Sequence, residues 1–251
     1  MTNENLIQYI YGIADNSLIL GQRISELCGH GPTLETDIAM TNIALDLLGQ
    51  TRSYYQYVAE LSKSDITEDD VAFLRTEREY KNVLLVEQPN TDFAYIIVRQ
   101  YFFDVFHFML LKELENSKNV NFQAIAKKSL KEVSYHKRFS GDWLKRLGDG
   151  TEESKLKAQN AVNDLWVYTN ELFQMTANDK TVSEAGYGVN TENLKAEYYN
   201  TIKALLKEAT LDIPEVEYFQ KGGKDGIHTE HMGYILSDMQ YMQRTYPDMK
   251  W

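Results

Sequence analysis

Along most of this chain apolar residues recur every three or four positions, the period that places them on one face of a helix. Residues 4–28 bring Leu6, Ile10, Ile13, Leu20, Ile24 and Leu27 near a single face, and Gly29 with Pro32 beyond it predicts the stop. A second helix is expected over residues 34–61, where Leu34, Ile38, Leu45, Leu48 and Tyr55 repeat at helical spacing. At 1.5 Å per residue it would be roughly 40 Å long, the length of a bundle helix. Residues 62–70 read as a polar connection, followed by a shorter helix over 73–81 and a turn around Pro89. Thr91 or Asp92 suits the cap of a third long helix running to about 114, because a short side-chain oxygen can accept from first-turn amides.

The fourth helix is expected over 122–147, stopped by Gly148-Asp149-Gly150. Thr151, with Glu152 and Glu153 in the next turn, predicts a fifth that continues to about 175, and two more are expected over 192–207 and 230–244. The four prolines, Pro32, Pro89, Pro214 and Pro247, all fall between these segments. No run alternates with a strand's period of two. The expectation is therefore an all-α chain, a single domain over residues 1–251 with a four-helix core and peripheral helices.

Charge narrows what such a chain does. With 26 Lys+Arg against 37 Asp+Glu the net charge is -11, and no long basic cluster is present, so neither nucleic acid nor an anionic membrane surface is expected as a partner. The most apolar stretch, residues 93–111, contains Arg99, Gln100, Asp104 and His107 and reads as a buried helix rather than a membrane span. The N-terminus shows no basic, apolar leader, and Cys28 is the single cysteine, which excludes an internal disulfide framework. A cytoplasmic location is expected.

Within the long helices, polar residues interrupt apolar surroundings: Glu26 on the first; Asp46 and Gly49 on the second; Gln100, Asp104 and His107 on the third; Glu132, Tyr135 and His136 on the fourth. Helical bundles hold metal pairs when two helices each give a carboxylate and two others each give Glu-x-x-His. Here the pattern is incomplete, with Gly49 three after Asp46 and Tyr135 three after Glu132 where imidazole is needed, and with His136 one residue late, about 100° around the helix. Asp46, flanked by Leu45 and Leu47, looks the most deeply enclosed carboxylate. Two accounts stay open. Either Asp46, Asp104, Glu132 and the histidines form a metal-free buried network with Arg23, Arg99 or Lys128, or Glu26, Asp46, Asp104, His107, Glu132 and His136 make an unusual di-metal oxidase site.

Near the C-terminus, the Gly-rich loop 222–228 enters a helix that Thr229 is expected to cap. His228 and His231 either bind an anion or metal there or are hydrogen-bonded within a structured loop. Met232 and Met239, with these histidines, are candidate partner contacts, since methionine adapts to varied surfaces; packing the core is the equal alternative. A helical adaptor unconnected with oxygenation also fits the residues.

Five segments in order, residues 18–32 (LILGQRISELCGHGP), 37–52 (DIAMTNIALDLLGQTR), 84–94 (LLVEQPNTDFA), 131–150 (KEVSYHKRFSGDWLKRLGDG) and 222–244 (GGKDGIHTEHMGYILSDMQYMQR), make the chain resemble the structural C subunits of phenylacetyl-CoA epoxidase complexes. The resemblance covers nearly the whole length. It implies a ferritin-like bundle without cofactor of its own and not catalytic alone, paired with a catalytic A subunit that holds a di-iron centre. A small B subunit and a reductase drawing on NADPH complete such complexes, which convert phenylacetyl-CoA to its ring 1,2-epoxide with O2. Self-association is a further expectation.

Overall fold

In the computed structural model, residues 1–247 and 249 are described, and among them every regular element is helical. The chain divides into two compact units, Met1–Pro89 with Gly222–Trp251, and Asn90–Lys221. Each is built around a pair of long helices.

In the first unit, α1 (Asn3–Ser25) packs along α2 (Leu34–Ser62). A capping box opens α1: Thr2 Oγ1 accepts from the Asn5 amide at 3.2 Å and the Asn5 side chain accepts from the Thr2 amide at 3.0 Å. Its end comes at Ser25, three residues sooner than expected, in tight turns that reach Gly29 at φ +84°. Thr33 caps α2. The short α3 (Glu68–Phe73) and, from the C-terminal segment, α9 (Glu230–Thr245) pack beside them.

The buried face of α2 is not the expected one. Met40, Ile43, Ala44, Leu47, Tyr54, Tyr55 and Val58 are buried, whereas Leu34 and Leu45 are 72% and 60% exposed and Ile38 is exposed as well. Apolar residues occupy two faces of this helix, and periodicity alone does not say which one meets α1. The helix expected over 73–81 is displaced too. α3 ends at Phe73, and only a 3-10 turn, Glu77–Glu79, follows.

In the second unit, α4 (Phe93–Leu114) lies against α5 (Val120–Gly148), with α6 (Glu152–Trp166) and α8 (Lys195–Glu208) packed on them. Asp92 Oδ1 accepts from the Tyr95 amide at 2.8 Å and Thr151 caps α6, as the sequence predicts. α6 stops at Trp166 rather than 175, and a 3-10 turn, Thr169–Phe173, and the short α7 (Ala177–Glu184) fill the remainder. By length and composition α4 is able to cross a membrane, yet 89% of its most apolar window is buried within the fold. A helix apolar all round is what a core requires.

Candidate functional site

Because α4 is enclosed, its polar residues have to find partners inside the protein. Asp104 is fully buried, and Gln100, one turn earlier on the same helix, donates from Nε2 to Asp104 Oδ1 at 2.6 Å. From α5, Ser140 Oγ lies 2.7 Å from Asp104 Oδ2 and 2.9 Å from the His136 carbonyl. Burial, only partly offset by the charge of His136 and by these two hydrogen bonds, pushes the Asp104 carboxyl up to about 6. His107, one turn further along α4 and also buried, has its pKa pushed down to about 3 by the same loss of water. Its ring lies 5.1 Å from that of Phe103, tilted by 45°, and neither ring nitrogen has a hydrogen-bond partner among the described residues. Asp104 and His107 thus lie one turn apart on α4, with the buried His136 of α5 within electrostatic reach of both. Slipping either helix by a turn would strand the carboxylate, so the contact fixes their register.

Its partners differ from those expected. Arg99 instead donates from Nη2 to Asn90 Oδ1 at 2.7 Å, and Arg23 donates to the Glu87 carbonyl from Nε and Nη2 at 3.1 and 2.9 Å. The remaining candidates lie elsewhere. Glu26 sits at the exposed end of α1 and pairs with Arg23 at 3.1 Å. Asp46 is half-buried rather than enclosed, because its apolar chain neighbours project about 100° away on either side. Gly49 faces open space, with nothing within 4 Å of where a Cβ would stand. Glu132 is half-buried and Tyr135 is 38% exposed. No group of three or more His, Cys, Asp or Glu among the described residues is placed to hold a metal ion. This donor set does not fit a di-metal centre.

The Gly-rich loop forms a second polar centre, within the first unit. Glu87 is fully buried; its Oε1 accepts from Asn82 Nδ2 at 2.8 Å and from His228 Nδ1, and its Oε2 from the Thr229 amide and hydroxyl at 2.9 and 2.7 Å. Thr229 holds the N-cap position of α9 as expected, but its hydroxyl makes no capping bond because it is committed to Glu87. The other His228 nitrogen, Nε2, lies 3.1 Å from the Tyr80 carbonyl. Both neighbours of the ring are acceptors, which the doubly protonated form satisfies. Burial opposes that charge, but the Glu87 hydrogen bond and charge outweigh it and the His228 pKa is raised. Gly223 permits the approach: a Cβ there would lie 2.1 Å from the Asn82 carbonyl oxygen.

His231 is half-buried at the start of α9, whereas Met232 and Met239 are buried in the first unit. Tyr234 and Tyr241 take the solvent face. Residues three or seven apart return to the same side of a helix, so both methionines follow the inward stripe with Ile235 and Leu236.

A third centre has no counterpart among the sequence-based expectations. Asp15, inside α1 and fully buried, accepts from Arg75 Nη2 and Nη1 at 2.7 and 3.0 Å, from the Tyr55 hydroxyl, and from the Lys81 amide at 2.8 Å. The Arg75 guanidinium also lies over the rings of Tyr11 and Tyr80, 4.2 and 4.1 Å from their centroids. The only local signal is the polar run Asp15-Asn16-Ser17 in an otherwise apolar stretch.

Residues 1–251 match the family described as phenylacetic acid catabolic protein. The chain is 47% identical over 246 residues to the C subunit of the 1,2-phenylacetyl-CoA epoxidase of Escherichia coli (strain K12), covering 98% of this chain and 99% of that protein.

Proposed function

Because the chain belongs to the phenylacetic acid catabolic protein family, we propose that it is a non-catalytic structural subunit of a 1,2-phenylacetyl-CoA epoxidase in aerobic phenylacetate degradation. The observation that carries this reading is its likeness, end to end, to the C subunit of such an enzyme. Two features of the fold support it. Where the sequence spacing would need imidazole stand Gly49 and Tyr135, and both are exposed rather than turned into a core. And α2 turns Leu34, Ile38 and Leu45 outward along one side, an apolar stripe suited to burial against another chain.

In this reading the partner on α2 is the catalytic chain that bears the di-iron centre. A small B subunit and an NADPH-fed reductase complete a cytoplasmic complex, and residues 1–251 act together as one domain. Buried in this chain, the Asp104 and Glu87 centres keep the helices in register for that assembly.

The test is coexpression with a ferritin-like catalytic chain, followed by metal analysis of each separated protein. Copurification with iron on the partner alone is the expected result, lost in Ile38→Glu/Leu45→Glu while helix content is kept. About two irons per folded copy of this chain would overturn the proposal, as would failure of the unaltered chain to copurify.

A further inference from the structure

On the second unit, α4, α5 and α8 border an open cleft of about 480 Å³. Tyr101 and Phe108 of α4 and Leu205 of α8 give it an apolar lining, while Lys137, Arg138 and Lys145 of α5 supply its cations. Such a volume lies within the range of small-molecule sites. Gly141 keeps the floor tight, since a Cβ there would stand 3.1 Å from both Tyr101 and Leu205.

The three cations are not equivalent. Lys145 is engaged with Glu208 at 3.0 Å, and Arg138 lies 5.8 Å from the Tyr135 ring. Asp142 is the one carboxylate on the lining. Lys137 is half-buried, with its ammonium 4.5 Å above the Phe108 ring and no carboxylate within ion-pair distance among the described residues. Loss of water lowers its pKa; Glu197 and Asp104 oppose that effect at longer range, while Lys112 adds to it. A cation that has shed water without gaining an anion recovers that cost when one arrives. The lining beside it, two aromatic rings and a leucine, favours a flat or apolar group joined to that anion. On a chain of net charge -11 this is a local reversal of sign.

We propose that this cleft binds a phosphate-bearing small molecule with an attached ring, the phosphate on Lys137 and Arg138 and the ring against Tyr101 and Phe108. Resting on the epoxidase reading above, the choice of such a ligand is coenzyme A or its thioesters, which carry phosphates next to an adenine. The cleft would hold the nucleotide end of the thioester on this chain and raise its local concentration for the catalytic partner.

Isothermal titration of the full chain with coenzyme A, 3′-dephospho-coenzyme A and inorganic phosphate tests this. Coenzyme A should saturate one site per chain, and Lys137→Gln should weaken it about tenfold, the effect of one charged hydrogen bond. Lys137→Arg should keep most of the affinity, and Lys180→Gln, on α7 and not part of the lining, should change nothing. No saturable binding overturns the proposal, as does binding that Lys137→Gln and Arg138→Gln leave intact. Inorganic phosphate binding as tightly as coenzyme A overturns the ring contact. Partner capture, measured separately on the same variants, keeps the two readings apart: a chain that captures the catalytic partner but binds no coenzyme A sinks only the cleft.

Discussion

The Arg75 guanidinium meets the Asp15 carboxylate side-on, Nη2 at 2.7 Å from Oδ1 and Nη1 at 3.0 Å from Oδ2, with 8% of the arginine side chain and none of the aspartate's exposed. The pair links α1 to the segment after α3. Every oxygen of Asp15 is used, so the charge is tolerated only while its donors remain. Arg75→Met is expected to cost about 3–5 kcal/mol, because it leaves a buried carboxylate without its cation. Asp15→Leu combined with Arg75→Met should recover much of that loss. Urea unfolding of the three proteins measures both effects, and a single-mutant loss under about 1 kcal/mol would contradict the account.

His228 gives a pH dependence of the opposite kind from an ordinary carboxylate. Its folded pKa is raised, so its contribution is complete below the unfolded value of about 6.5 and disappears as pH rises through the folded pKa. The Tm advantage of the wild type over His228→Gln should therefore be larger at pH 5.5 than at pH 9. An advantage that grows with pH would show that the ring is neutral against Glu87.

Asp104 provides the second titration. Its carboxyl rises from an unfolded value of about 4 to about 6 when buried, so the folded state binds more protons than the unfolded state between these limits and stability falls as pH rises across them. Asp104→Asn keeps the shape, can accept from Gln100 and can donate to Ser140. Relative to wild type it should gain about 2–3 kcal/mol between pH 4 and pH 7, the product of a shift near two units and 1.4 kcal/mol per unit. Thermal melts at the two pH values decide the matter, and a difference that does not change with pH would refute it.

Two glycines should respond in opposite directions. Gly148→Ala forces a Cβ to within 2.1 Å of the Ala209 carbonyl oxygen, a backbone atom with little freedom to withdraw, and a loss of about 1–3 kcal/mol is expected. At Gly49, inside α2 with open space beside it, alanine should instead stabilise the isolated chain by roughly 0.5–1 kcal/mol. Tm values of the two variants, measured on the same preparation, check both signs.

Much of the helical order is legible in the sequence because caps and stops are local. Asp92 and Thr151 announce α4 and α6 by their own short side chains, and Gly148 ends α5 within one residue of the expected place. Asp104 and His107 are legible as polar residues in apolar surroundings because most of α4 is buried and leaves them no exit, and His136 of α5 is buried as well. Asp46 misleads for want of that condition: its leucine neighbours along the chain point to other faces of α2, and one of them, Leu45, is itself exposed. The Asp15–Arg75 pair is beyond local reading altogether. Sixty residues separate the partners, and neither position departs from helical or loop chemistry until the fold brings them together.

The Glu87 centre has a consequence for how the protein is made. Its acceptors belong to a segment completed early in synthesis, while His228 and Thr229, two of its donors, are added only after all of Asn90–Lys221 has been translated. The intervening unit is contiguous and can close on the ribosome, but in the first unit Glu87 has only Asn82 of these side-chain donors until the last helix is delivered. A nascent chain halted before residue 222 should thus present a finished second unit and a sticky, unfinished first one, which is the form a chaperone would meet.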